Sequence, residues 1–222
     1  MTRRMILPLL FGLIGAAALL SLGLWQLDRL AWKEAALADI TARLVAAPLA
    51  LPTNPDPVAD RYLPVTASGR FTGESLEVLV SRKEIGAGVR VIEVFETQGR
   101  RILVDRGFVA DAARRAPRGS DALAVAGNLH WPDEVDSFTP APDLKTGLWF
   151  ARDVPGMAAR LTTEPLLIVA RDPTAPGIEP MPVDISTIPN NHLGYAVQWF
   201  GLCAVWLVMT AYLLWRIRRR TV

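Results

Sequence analysis

The sequence contains a single cysteine, Cys203, and only two histidines among its 222 residues. One cysteine excludes an intrachain disulfide and any metal site built from paired cysteines. No serine or cysteine lies in a nucleophile elbow, and Gly86-Ala87-Gly88 lacks the rest of a dinucleotide-binding fingerprint. Because no catalytic constellation can be recognised, we predict that the protein is not an enzyme.

The polar residues of the middle region suggest structure more than chemistry. His130 has no second histidine nearby, which favours a surface or half-buried histidine. Asp133, Glu134 and Asp136 form an acidic cluster without the spacing or turn glycine of an EF-hand, which favours a solvated loop. Arg106 precedes a glycine, and we interpret this pair as a turn with a buried structural arginine.

Positive charge is concentrated at the two ends of the chain. Six of the 24 Lys and Arg residues lie there: Arg3, Arg4, Arg216, Arg218, Arg219 and Arg220. All 22 Asp and Glu residues lie between Asp28 and Asp184, so the middle is acidic although the whole chain carries +2. An acidic middle repels phosphate, and we therefore predict no nucleic-acid partner.

Two uncharged runs, residues 5–24 and 193–215, are long enough to cross a membrane. Twenty helical residues just span a hydrocarbon core of about 30 Å. The first run could also be a cleaved signal peptide, but it is longer than a typical h-region and no clear Ala-x-Ala site ends it. Gly12 and Ala16 offer either a small-residue packing face or ordinary lipid-compatible filler.

The arginine clusters predict the orientation of both spans. Under the positive-inside rule, both termini are cytoplasmic and the central domain lies on the outer side. In a Gram-negative cell this describes a multi-pass protein of the inner (plasma) membrane with a periplasmic domain. In a mitochondrion the domain would face the intermembrane space, but no transit peptide precedes the first span.

The middle region has the pattern of short strands separated by glycines. Alternating or β-branched runs predict strands at 62–71, 76–82, 89–97, 101–109, 122–131, 148–152 and 164–170, with a short helix at 154–162. Gln98-Gly99 predicts the turn of a hairpin. We therefore expect an α+β membrane protein in which two transmembrane helices flank a β-rich, antiparallel, barrel-like extracytoplasmic domain.

The predicted organisation follows from these runs and from two proline-rich linkers. In chain order it comprises a cytoplasmic N-terminus (1–4), a first transmembrane helix (5–27), a periplasmic domain (28–190), a second transmembrane helix (191–215) and a basic cytoplasmic tail (216–222). The periplasmic domain divides into a helical extension (28–47), a linker (48–60), a β-rich core (61–172) and a second linker (173–190).

Polar and aromatic residues meet at the outer ends of both predicted spans. His192, Tyr195 and Trp199 are spaced to share one helix face, as are Trp25 and Arg29. This set suits a porphyrin, because imidazole ligates iron, aromatic rings stack and a cation pairs with propionates. An asparagine-capped helix start within an interfacial aromatic belt would explain the same residues.

Four stretches, spread in order over nearly the whole chain, carry a resemblance to a known family. They are Leu22-Gly23-Leu24-Trp25-Gln26-Leu27-Asp28-Arg29-Leu30-Ala31-Trp32-Lys33, Val104-Asp105-Arg106-Gly107-Phe108-Val109, Trp149-Phe150-Ala151-Arg152-Asp153-Val154-Pro155-Gly156-Met157 and Asn191-His192-Leu193-Gly194-Tyr195-Ala196-Val197-Gln198-Trp199-Phe200. Together they resemble the Surfeit locus protein one family of assembly factors for haem-copper cytochrome c oxidase. Asp28 and Gly194 depart from the pattern expected of that family.

The resemblance implies a membrane chaperone that transiently binds haem a and aids its insertion into subunit I of the oxidase. It implies His192 as the axial ligand of the haem iron, and a pocket that also contains Trp25, Gln26, Arg29, Tyr195 and Trp199. It implies subunit I as a partner, and haem a synthase as a further one, beside membrane lipid.

Two other functions compete with this interpretation. The protein could be a membrane scaffold that holds an oxidase assembly intermediate without itself carrying haem. A copper chaperone would need thiolates or clustered Met and His ligands, which a chain with Cys203 alone does not offer.

Overall fold

The chain divides into two compact units in a computed structural model that describes residues 3–83, 85–119, 122–185 and 188–220. One unit is helical and comprises Met1–Asp39 and Ile185–Val222. The other comprises Ile40–Asp184 and contains the β-sheet. We call them the helical unit and the sheet unit.

The helical unit is built from the first and last helices of the chain. Helix α1 (Arg3–Val45) continues without a break from the first apolar run into the amphipathic stretch, and its last residues belong to the sheet unit. Helix α3 (His192–Arg220) carries the second run. Both are long and apolar enough to cross a membrane, with mean hydropathies of 2.4 and 1.7 in their most apolar windows.

Small residues of α1 form the face that packs against α3. Gly12, Ala16 and Gly23 are buried, and their missing or short side chains let larger groups of α3 approach the α1 backbone. The Trp206 indole N–H donates to the Gly12 carbonyl at 2.9 Å. The Cys203 thiol lies 3.5 Å from the Ala16 carbonyl. Gly12 and Ala16 are therefore a packing face.

The sheet unit contains seven strands and a short helix. The strands are β1 (Leu49–Ala50), β2 (Pro64–Arg82), β3 (Gly86–Thr97), β4 (Arg100–Ala110), β5 (Ala122–Leu129), β6 (Leu148–Trp149) and β7 (Leu167–Ala170). Helix α2 (Val154–Leu161) precedes β7. Hydrogen-bonded pairing runs β2–β3–β4–β7–β5, and β5 also pairs with β2; β1 and β6 pair with β2 as well.

The sheet is mixed, so the predicted antiparallel pairing holds for only part of it. The pairs β1–β2, β2–β6 and β4–β7 are parallel. Alternation of apolar and polar residues identifies strands but not their directions. A long segment containing β5, β6 and α2 separates β4 from β7, and a crossover of this length allows the two strands to pair in parallel. The two strands predicted at 62–71 and 76–82 are one strand, β2, with a register shift between Phe71 and Ser75.

The Gln98-Gly99 hairpin is confirmed between β3 and β4. Both residues have positive φ, 49° and 77°, as a two-residue hairpin turn with the favoured twist requires. Short apolar strands pack around this hairpin, and β4 and β7 are buried over almost their whole length. The core of the sheet unit therefore includes β4 and β7, together with inward residues of β2, β3 and β5.

Arg106 is a buried structural residue, as predicted, but it lies in a β-bulge and not in a turn. The register of β3 and β4 shifts beside it, and Gly107 has φ 118°. The guanidinium is fully buried, pairs with Glu93 at 2.7 Å and lies 4.0 Å from the Phe71 ring centroid. The bulge turns Arg106 inwards to a carboxylate, which is how a buried cation is tolerated.

Candidate functional site

His192 and Gln26, which lie 166 residues apart in sequence, form a hydrogen bond in the helical unit. The His192 Nδ1 and Gln26 Oε1 atoms are 2.8 Å apart. Gln26 is only 9% exposed, although it follows an apolar run that would otherwise face lipid. Gly23 and Ala196, each about one turn from the pair, are buried and allow the close helix approach that brings the two side chains together.

This hydrogen bond selects one form of the histidine ring. An amide oxygen accepts and cannot donate, so the His192 Nδ1 carries the proton that it shares with Gln26. In the neutral imidazole, Nε2 then holds the free lone pair. Histidines that bind metals are commonly oriented in this way by an acceptor on the other ring nitrogen.

The other predicted site residues lie on more exposed surfaces of the same two helices. Trp25 is 56% exposed and Tyr195 is 50% exposed, while Trp199 is partly buried. The Arg29 guanidinium lies 4.1 Å from the Trp32 ring centroid. Among the described residues, His192 has no ring contact with Tyr195 or Trp199. The structure thus brings Gln26 and His192 together, but not the whole predicted set.

A shallow groove lies at the start of α3. It is lined by Asn190, Asn191, Gly194, Tyr195 and Gln198. The Oδ1 atom of Asn190 is buried and has no hydrogen-bond donor among the described residues. Among the described residues, no atom beyond the adjoining turns of α3 lies within 4 Å of the position that a Cβ on Gly194 would take. The groove therefore exposes a phenol ring, whereas the Asn190 Oδ1 atom beside it is buried.

The groups at this end of the helical unit are of the chemical types that could hold a haem. Iron in a porphyrin takes an axial imidazole nitrogen, and His192 Nε2 is the nitrogen left free by Gln26. The exposed rings of Trp25 and Tyr195 can cover a porphyrin face. Arg29 is a cation that can pair with a carboxylate. Within the described ranges, no cluster of three or more His, Cys, Asp or Glu residues offers an alternative metal site.

A chain of buried charges in the sheet unit is the site that sequence reasoning missed. Asp105, fully buried, accepts from Arg90 at 2.6 Å and lies 3.3 Å from Arg152, which in turn pairs with Glu134. Burial raises the pKa of Asp105, against the opposing charges of the two arginines. A charged residue inside the apolar run of β4 was the available signal. The network joins β3 and β4 to the segments around Glu134 and Arg152.

His130 borders this network and is held neutral. Its ring stacks on Tyr62, with centroids 5.4 Å apart. Burial, together with the charges of Arg152 and Arg61, lowers the pKa of His130 to about 4. The Nδ1 atom has no partner in the described part of the chain. His130 is therefore a buried histidine, and the neighbouring Glu134 is ion-paired and not merely a solvated loop residue as predicted.

Comparisons with known proteins agree along most of the chain. The sequence profile of the SURF1 family matches residues 13–204. A SURF1-like protein of Monosiga brevicollis is 32% identical over 214 residues, which cover 86% of this chain and 82% of that protein. Surfeit locus protein 1 of Rattus norvegicus is 28% identical over 90% of this chain and 72% of its own length. A SURF1-like protein of Rickettsia felis is 27% identical, over 89% and 92%.

Proposed function

Because the chain belongs to the SURF1 family, we propose that it is a non-enzymatic assembly factor of cytochrome c oxidase that transiently binds haem a through His192. A role in oxidase assembly follows from the family. More specifically, the chain would hold haem a near the periplasmic surface of the inner membrane and aid its insertion into subunit I. Haem a synthase is the proposed source of the haem.

The observation that carries this proposal is the 2.8 Å hydrogen bond between His192 Nδ1 and Gln26 Oε1. A histidine that only started a helix in the headgroup zone would need no buried amide from another helix to orient it. Burying Gln26 costs free energy unless its side-chain oxygen accepts a hydrogen bond, so the buried amide depends on His192 as its donor. Its effect is to direct one ring nitrogen, Nε2, away from Gln26.

Each of these residues of the helical unit would contribute a different interaction with the cofactor. Haem, when bound, would supply an iron that takes a nitrogen ligand, and His192 Nε2 would be the donor. Gln26 holds the proton of His192 on Nδ1, so that Nε2 keeps its lone pair. The exposed rings of Trp25 and Tyr195 would cover part of the bound cofactor. Arg29 is placed on the same helix face as Trp25 and would pair with a propionate.

The location follows from the same reasoning. The two apolar helices would cross the bacterial inner membrane, with the arginine-rich ends in the cytoplasm and the sheet unit in the periplasm. The candidate site would then lie at the periplasmic side, where the first helix leaves the membrane and the second enters it.

The proposal is tested by the haem content of the full chain purified in detergent from cells that make haem a. We expect the visible spectrum of haem a to accompany the native protein and to be lost in His192→Ala. The matched control is His130→Gln, which alters the only other histidine of the chain and should keep the haem. Size-exclusion profiles of all three proteins establish that they are folded.

Two outcomes would contradict the proposal. Undiminished haem in folded His192→Ala would exclude His192 as the essential ligand. A native protein that never carries haem a, yet still supports oxidase assembly, would favour the alternative of a membrane scaffold that holds an assembly intermediate without haem.

A further inference from the structure

The segment 132–147 of the sheet unit, which we call the Phe138 loop, exposes apolar side chains. Phe138 is 90% exposed, the highest value among the large hydrophobic residues described. Val135 and Leu144, in the same segment, are 53% and 58% exposed. A single exposed apolar residue is common on protein surfaces. An almost fully exposed phenylalanine, however, presents one of the largest apolar surfaces that a side chain has.

The tip of the Phe138 loop is held in one conformation by its own hydrogen bonds. The Asp136 Oδ1 atom accepts from the backbone N–H of Phe138 at 2.8 Å and from the Thr139 hydroxyl at 2.9 Å. The backbone N–H of Asp136 donates to the Thr139 hydroxyl oxygen at 2.9 Å. These bonds close the turn at Phe138, and its side chain lies exposed outside the turn.

Both ends of the loop are anchored to the core of the sheet unit. Near the start, Glu134 accepts from the backbone N–H and the guanidinium of Arg152, which also reaches the buried Asp105. Near the end, the backbone N–H of Asp143 donates to the Leu148 carbonyl at 2.9 Å. A loop fixed at the tip and at both ends loses little conformational entropy on binding, which makes Phe138 a preorganised anchor.

The charge of the loop indicates what Phe138 contacts. The loop exposes three aspartates, Asp133, Asp136 and Asp143, against one lysine, Lys145, so its exposed surface is acidic. Hydrogen bonds from the Phe138 backbone and the Thr139 hydroxyl lower the pKa of Asp136, and similar bonds around Thr146 lower that of Asp143, so both stay ionised at neutral pH. Anionic headgroups repel such a loop. An apolar pocket bordered by lysine and arginine complements it.

We propose that the Phe138 loop is a docking surface for a protein partner that has an apolar pocket with a basic border. Phe138 fills the pocket, and the surrounding carboxylates face the basic border. This binding does not depend on haem, so it can fail or succeed separately from the proposed function.

The first experiment places a photo-reactive phenylalanine at position 138 of the full chain, in membranes of cells that assemble the oxidase. The matched control is position 58, because Val58 is 85% exposed and follows a similar aspartate turn in which Asp56 accepts from its backbone N–H. We expect a protein adduct at 138 that is absent at 58. The crosslinked peptide should lie in an apolar pocket flanked by Lys or Arg, and the adduct should persist in His192→Ala.

The second experiment measures the affinity of the purified chain for the partner so identified. We expect Phe138→Ser to weaken binding by at least about tenfold, as truncation of a central aromatic anchor does, and Val58→Ser to leave it unchanged. Asp133→Lys should weaken binding and reduce its dependence on salt.

Three results would overturn the docking proposal. They are adducts of position 138 with phospholipid, no adduct beyond that seen at position 58, and equal affinities for native chain and Phe138→Ser. The first would reassign the loop to the membrane surface.

Discussion

At the scale of single residues, the candidate site depends on a pair whose members do different things. His192 offers a nitrogen, and Gln26 determines which nitrogen it is. The resemblance to the SURF1 family implied both residues as pocket members, but it could not show that one acts through the other. The topology predicted from the charges puts both residues at the same membrane surface, whereas their contact depends on side-chain packing between helices that no local pattern describes.

Replacing Gln26 by leucine should weaken haem binding by about 10-fold to 100-fold, the usual cost of losing an outer partner of a metal ligand. Leucine has a similar size and suits the apolar helix face, so the helical unit should remain folded. Gln26→Glu keeps the acceptor and should restore binding. Absorbance titrations of the detergent-purified apo-protein with haem would measure this, and equal affinities for native protein and Gln26→Leu would refute the assigned role.

The buried His130 should make stability depend on pH. Its folded pKa of about 4 lies below the ordinary value of 6.5, so the unfolded chain binds more protons between these values. The free energy of unfolding should therefore fall as pH is lowered from 6.5 to 4, by at most about 3 kcal/mol from this group. Denaturant unfolding of the full chain across this range, compared with His130→Gln, isolates the contribution. Parallel pH curves for both proteins would contradict it.

At the scale of secondary structure, α1 and α3 pack closely because α1 has glycines on the face that contacts α3. A Cβ on Gly23 would lie 2.4 Å from the Phe200 ring, and one on Gly12 would lie 2.2 Å from Thr210. The larger side chains of α3 thus occupy space that α1 leaves empty. Packing of this kind is the main source of helix association in lipid, where apolar surface gains nothing by leaving the tails.

Gly23→Leu should push the helices apart near Gln26 and lower haem affinity, because a leucine side chain cannot fit beside Phe200. Gly201→Leu is the matched control, since no atom of another described segment lies within 4 Å of the Cβ position of Gly201. Spin labels on Leu20→Cys and Leu207→Cys, in a Cys203→Ala background, would report the helix distance. An unchanged distance in Gly23→Leu would show that the helices do not need this glycine.

Strand positions could be predicted where local chemistry determines them, and strand partners could not. Gln98-Gly99 fixed the hairpin because that turn demands two residues with positive φ. The parallel pairing of β4 with β7 depends on residues far apart in sequence, and alternation carries no sign of direction. The buried Asp105 was missed for a similar reason, because its partners Arg90 and Arg152 come from distant segments.

At the scale of the whole molecule, charge and hydropathy predict an orientation in the membrane. Six arginines lie at the two ends of the chain, beside the apolar helices, and the acidic residues all lie in between. Under the positive-inside rule, two membrane-spanning helices with that charge distribution would have both termini in the cytoplasm.

The orientation can be measured by cysteine accessibility in intact bacterial spheroplasts. In a Cys203→Ala background, Val58→Cys should react with a membrane-impermeant maleimide, because this position is 85% exposed in the sheet unit. A cysteine appended after Val222 should react only after lysis. Labelling of the appended cysteine in intact spheroplasts would reverse the predicted topology.

The 166 residues that separate Gln26 from His192 impose an order of events on biosynthesis. At about 5–20 residues per second, the ribosome needs roughly 10–30 s to reach His192 after Gln26 has been made. During that interval the first helix carries an amide with no histidine to pair it. The hydrogen bond can form only after the last helix has been made, so a nascent or truncated chain lacks the His192–Gln26 pair.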